Sequence, residues 1–114
     1  MRIRRESELL DDEIELVATV SDALAHPVRI RIYQYVMQGN RNLVPVYNKT
    51  LCEELGYAQA TISQHVKKLV DAGLLQTKKE DRYTMFYANI GMLSGYLAAT
   101  RKFSVFEAVR PGTK

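Results

Sequence analysis

The sequence predicts a mainly α-helical domain with one small β-hairpin, an α+β arrangement. Three observations predict it. Apolar residues recur at helical spacing, most cleanly at Ile62, Val66, Leu69 and Val70 (i, i+4, i+7 and i+8). Helix punctuation separates the periodic stretches: Pro27, Gly39, the Thr50-x-x-Glu53 spacing of a capping box, and Gly56. Residues 74–79 and 83–88 read instead as strands, with Glu80, Asp81 and Arg82 at the turn between them.

A chain of 114 residues has room for one domain and a modest core. A net charge of +3 permits nucleic-acid binding without by itself suggesting it. No apolar run is long enough for a transmembrane helix, and the start MRIRRESELLDDE lacks the apolar core of a signal peptide, so a cytoplasmic location is expected. A single cysteine, Cys52, excludes an intramolecular disulfide framework.

Taken in order, residues 1–6 form a basic arm with Arg2, Arg4 and Arg5, either a solvated end or a phosphate contact. The main domain spans residues 7–108, and its first helix runs from about Ser7 to Ala25, acidic at its start as the helix dipole favours. This helix has two apolar stripes. Leu10, Ile14, Val17, Ala18 and Leu24 make one; Leu9, Leu16, Val20 and Ala23 make the other. One packs on the domain's own core, and the second calls for a further partner, which a second copy of the chain would supply. His26-Pro27 opens the next helix, His26 acting as a cap or packed residue, with a ligand or pH-sensitive group as the alternative. Val28, Ile32, Tyr35 and Val36 bury that helix until Gly39 stops it.

Residues 40–49 are a connection whose centre, Leu43 to Tyr47, looks extended. Pro45 restricts it to an edge strand or a non-paired segment. The connection is either simply a longer loop or, since an inserted apolar segment must pack on something, the lining of a ligand pocket. Two helices joined by a tight turn follow over residues 50–73: one from Thr50 to Gly56, the other from Gln59 to Ala72. Opposite its apolar stripe, the second helix carries Ala60, Thr61, Gln64, Lys67, Lys68 and Asp71. Small residues, an amide and lysines suit a groove of DNA better than open water. A last helix over residues 90–108 carries Met92, Tyr96, Ala99, Phe103 and Phe106 along one face, read as core or dimer contact, and residues 109–114 are a tail.

A short helix, a Gly turn, then Q-x-T-I-S-Q-H-V-x-x-L and D-A-G-L-L resembles the helix-turn-helix of the arsenic-repressor (ArsR/SmtB) family of winged-helix regulators. Gln59, Ile62, Ser63, His65, Val66, Leu69, Ala72, Gly73 and Leu74 carry the match. Ala58 replaces the usual Ser, so the customary capping hydroxyl, worth roughly 1 kcal/mol, is missing. The resemblance covers about residues 20–100. It implies a winged helix-turn-helix that dimerises through its first and last helices, with the wing at residues 74–88. It further implies a homodimeric repressor on a palindromic double-stranded operator, with a small-molecule effector left open.

On this reading Gln59, Ser63 and Gln64 read bases, since an amide pairs bidentately with adenine. Ala60 lies beside them. Thr61, His65, Lys67 and Lys68 contact phosphates or position the helix, with a structural role for His65 equally open. Lys79, Arg82 and Tyr83 grip the neighbouring backbone from the wing. Leu9, Leu16, Val20, Met92, Tyr96, Phe103 and Phe106 form the dimer interface. The competing reading is a winged-helix module that binds protein and has no operator of its own.

No metal or other cofactor is expected. The family's C-x-C metal site falls here at Tyr47 and Lys49, and residues 90–108 contain no Asp or His for its other common site. No nucleophile motif, phosphate loop or dinucleotide fingerprint is present, so the chain is not read as an enzyme.

Overall fold

The fold is taken from a computed structural model that describes residues 8–104. The basic arm with Arg2, Arg4 and Arg5, Phe106 and the tail lie outside the described residues. Within them, helices α1 (Asp11–Ala23), α2 (Pro27–Arg41), α3 (Asn48–Leu55) and α4 (Gln59–Asp71) precede an antiparallel hairpin, β1 (Leu75–Glu80) and β2 (Tyr83–Ala88). Helix α5 (Ile90–Thr100) follows, continuing into a 3-10 turn at Arg101–Phe103.

The capping signals sit close to their expected places, with informative displacements. α1 starts at Asp11, four residues later than the acidic run alone predicts. Glu13 folds back to accept from the Leu10 amide at 2.8 Å, fixing the helix start there. It ends at Ala23, short of Ala25, because Pro27 holds His26 extended (φ −151°, ψ 127°). His26 is the cap of α2, its Nδ1 accepting from the Val28 amide at 3.2 Å.

Gly39 does not stop α2, which runs two residues further to Arg41. The glycine serves close approach instead: a Cβ at position 39 would collide with Cγ2 of Val46, which is wholly buried. The Thr50–Glu53 capping box is likewise displaced. α3 begins at Asn48, and Thr50, one turn inside it, accepts from the Tyr47 amide through Oγ1 at 3.3 Å. Gly56 ends α3 in the left-handed conformation (φ 75°), as its residue type requires.

The connection before α3 is not a free loop. Val46 accepts from the Phe86 amide at 3.0 Å and Tyr47 bridges to Met85, so this segment lies along β2, with Pro45 just outside the pairing. Asn40 holds the same strand from α2. Its amide donates to the Phe86 carbonyl at 3.2 Å and its oxygen accepts from the Ala88 amide at 2.9 Å. The wing is thereby tied to the helical body at its base, while its far end, closed by Asp81 (φ 53°) and Arg82, projects.

One apolar core joins the elements. Val20 from α1, Ile32 and Val36 from α2, Leu51 from α3, Ile62 and Leu69 from α4, Leu74 just ahead of the hairpin and Leu75 at its first position are almost fully buried. Val20 therefore needs no second copy of the chain, and its assignment to a dimer interface is corrected: its own domain covers it. α1 and α5 pack on each other, with the Ser21 and Tyr96 hydroxyls 3.1 Å apart and Leu16 over Gly95. Lys102 pins the outer end of this pair, its Nζ 2.7 Å from Glu13 and donating to the Glu8 carbonyl at 3.0 Å. Phe103 stands on the 3-10 turn, so the regular aromatic stripe expected over residues 90–108 is broken there.

Candidate nucleic-acid interface

α4 is held by Ile62, Val66 and Leu69, all turned into the core. At 100° per residue this fixes which side chains look away. Ala60, Gln64, Lys67 and Asp71 centre on the opposite face and are exposed. Lys67 pairs with Asp71 at 2.8 Å, a solvated pair worth only about 0–1 kcal/mol, so it leaves the ammonium available to an anion.

The flanks differ from each other. Toward the wing stand Gln59 and Ser63. There α4, the first turn of α3 and the hairpin enclose a cleft of about 700 Å³, bordered also by Lys49, Lys67, Arg82 and Tyr83. Asn48 donates to the Ser63 hydroxyl at 3.3 Å and accepts from the Cys52 thiol at 3.4 Å, fixing the two helices across their turn. The Tyr47 and Tyr83 rings meet with centroids 5.4 Å apart, which links α3 to the wing tip. On the wing, Lys79 lies opposite Thr84, while Lys78 is drawn to Glu80 at 3.6 Å. An exposed, amide-bearing helix face thus stands beside a projecting hairpin that carries Lys78, Lys79 and Arg82.

Comparison with known proteins agrees with this geometry. Residues 24–77 match the family model of a helix-turn-helix domain. The structure superposes on an ArsR-like transcriptional regulator from Rhodococcus sp. RHA1 with a TM-score of 0.72 and 18% identity, covering 87% of this chain and 89% of that one. NolR from Sinorhizobium fredii gives 0.61 at 20% identity over 89% and 95%. The transcriptional repressor BigR from Xylella fastidiosa gives 0.61 at 18% over 84% and 91%. The chain has the ArsR-type winged-helix fold. No curated relative matches by sequence.

In this ArsR-type fold, Thr61, His65 and Lys68 stand on the flank of α4 away from the wing, Lys68 exposed. Lys68 borders a hollow with Asp22 and Thr19 of α1. His65 lies against α2: its ring is 4.5 Å from that of His26, and its Nδ1 is 3.4 Å from Arg29 Nη1. Arg29 in turn donates to the Ala23 carbonyl at 2.7 Å and the Asp22 carbonyl at 3.3 Å, closing the C-terminal end of α1. His65 therefore joins α4 to the α1–α2 junction. Sequence reasoning missed Arg29, Asn48 and Lys49. Arg29 carried a signal in its position three residues after the cap His26. Asn48 and Lys49 were hidden by starting α3 at Thr50.

Burial first, and then the neighbouring His26 and Arg29, lower the His65 pKa below its ordinary 6.5. Folding thus favours the neutral ring. Its contribution to stability is complete above the unfolded value and is lost as pH falls through the lower folded one. Thermal melts of wild type and His65→Gln between about pH 7.5 and about pH 5 check this. The Tm advantage of wild type shrinks on acidification; an advantage constant over that range contradicts the assignment.

Proposed function

We propose that this protein is an ArsR-family transcriptional regulator that binds double-stranded DNA as a homodimer and represses from a palindromic operator. The observation that carries the reading is the outward face of α4, where Gln64 and Lys67 stand clear of the core beside Gln59 and Ser63. A surface helix kept only for solubility has no use for this amide-bearing face next to a basic hairpin. In the proposed complex Gln59, Ser63 and Gln64 meet base edges in the major groove, and Lys67 meets phosphate. Lys79, Arg82 and Tyr83 hold the flanking backbone. Lys49, in the first turn of α3, joins them. A cytoplasmic location accompanies this role, and no helix among the described residues is long and apolar enough to cross a membrane.

The dimer is proposed on α1 and α5. Leu9, Leu16, Met92 and Tyr96 are half-buried there, and Ile14, Leu97 and Phe103 remain about half exposed at 51%, 48% and 48%. Large apolar side chains on two packed helices fit an isologous contact with a second copy. Sedimentation at micromolar concentration then gives twice the 13.0 kDa chain, and Ile14→Glu reduces it to one. A single-chain mass for wild type at every concentration excludes the dimer.

Gln64→Ala and Lys67→Ala separate reading from charge. The first weakens the cognate site by about 1–3 kcal/mol with less effect on scrambled DNA. The second weakens both alike and lowers the salt slope by about one. Salt titrations of each variant on operator and scrambled duplex measure this. Equal loss on both duplexes for Gln64→Ala rejects it as a base reader. A gel shift on the promoter region in which no duplex binds favours the protein-interaction module instead.

A further inference from the structure

The cleft between α4 and the wing has two chemistries. Its rim carries three cations, Lys49, Lys67 and Arg82, and no Asp or Glu lines it. Among the described residues Lys49 and Arg82 have no acidic partner. Its floor is apolar: Val66 and Phe86 are nearly buried and Val70 is half-buried. The Tyr83 ring, half exposed, forms one wall. A DNA phosphate would engage the rim and leave that floor unused. A volume of about 700 Å³ lies within the range of small-molecule sites, which combine an apolar lining with a few placed polar groups.

We propose that this cleft binds a small anionic molecule with a flat apolar body, of the aryl carboxylate kind. The acid group lies between Lys49 and Arg82, and the ring system covers Val66 and Val70 against Tyr83. The cations supply charge-assisted hydrogen bonds, and the floor supplies burial of the ring. The proposal deepens the DNA-binding reading by naming a regulator of the same surface. Lys49, Arg82 and Tyr83 serve both occupants, and Gln59, Ser63 and Lys67 line the same cleft, so the ligand displaces DNA by occupying its seat. No change relayed through α5 is required.

The test uses 2-naphthoate as the probe on the full chain without DNA, followed by amide chemical shifts. The expected result is saturable shifts at Lys49, Val70, Arg82 and Tyr83. Neutral 2-naphthamide binds roughly tenfold more weakly, the loss expected from removing one charged hydrogen-bonding group. Arg82→Ala and Lys49→Ala, both at exposed positions, weaken naphthoate by a similar factor and leave the shifts of core amides unchanged. Absent shifts at millimolar probe, shifts confined to another surface, or equal binding of the amide each overturn the site.

A second arm measures DNA by fluorescence anisotropy. The apparent Kd for duplex rises in proportion to naphthoate concentration, without the plateau that a ternary complex would produce. A plateau overturns the competitive assignment. If naphthoate binds in the cleft while no duplex binds at all, the small-molecule site stands and the DNA-binding reading falls. If duplex binds and naphthoate does not, the reverse holds.

Discussion

The insertion of Ile62, Val66 and Leu69 into the core determines how every other part of the candidate interface is presented. Burying each of these side chains is worth about 1.5–3 kcal/mol, whereas the exposed Lys67–Asp71 pair on the opposite face is worth at most about 1. Burial therefore sets the rotation of α4, and the polar face follows from it. A turn of the helix by one residue, 100°, would bury Ser63 or Lys67 and expose Ile62. Asn48 to Ser63 on one flank and His65 to Arg29 on the other then hold the helix from both sides.

The wing obeys a second constraint. A two-stranded hairpin alone is marginal in water, and here its second strand is supported along its other edge. The Val46 carbonyl and Asn40 take up backbone groups of β2 at Phe86 and Ala88, while Met85 and Phe86 reach the interior. The same contacts explain Gly39, because Val46 can reach β2 only by crossing α2 where there is no side chain. Fastened at its base, the hairpin can project Arg82 and Tyr83 without losing its register.

Much of this was legible in the sequence where one residue type has one physical use. The 3.6-residue stripe of α4, Gly56 at a left-handed helix end, Pro27 at a first helical turn and the strand pair around residues 80–82 all belong to that kind. The errors fell where two uses compete. Gly39 suits a helix stop and also a close crossing, and only the position of Val46 decides between them. Thr50 fits a cap or the first helical turn, and the wrong choice concealed Asn48 and Lys49. Val20 belongs to an apolar stripe that the sequence cannot assign to its own core or to a second copy. His65, which flanks its helix's apolar stripe, stays open between two roles in the sequence, and its neighbours Arg29 and His26 come from a helix that the sequence does not place beside it.

The central claim is that α4 presents its outward face, together with the wing tip, to DNA. Amide and side-chain NMR shifts of labelled protein, titrated with a duplex slightly over two helical turns long, test it most directly. The account predicts the largest changes at residues 59–67 and 79–83, including the side-chain amide of Gln64, and small changes at Ile14 and Leu97. Changes centred on α1 and α5, or none on α4 while the duplex binds, would contradict it.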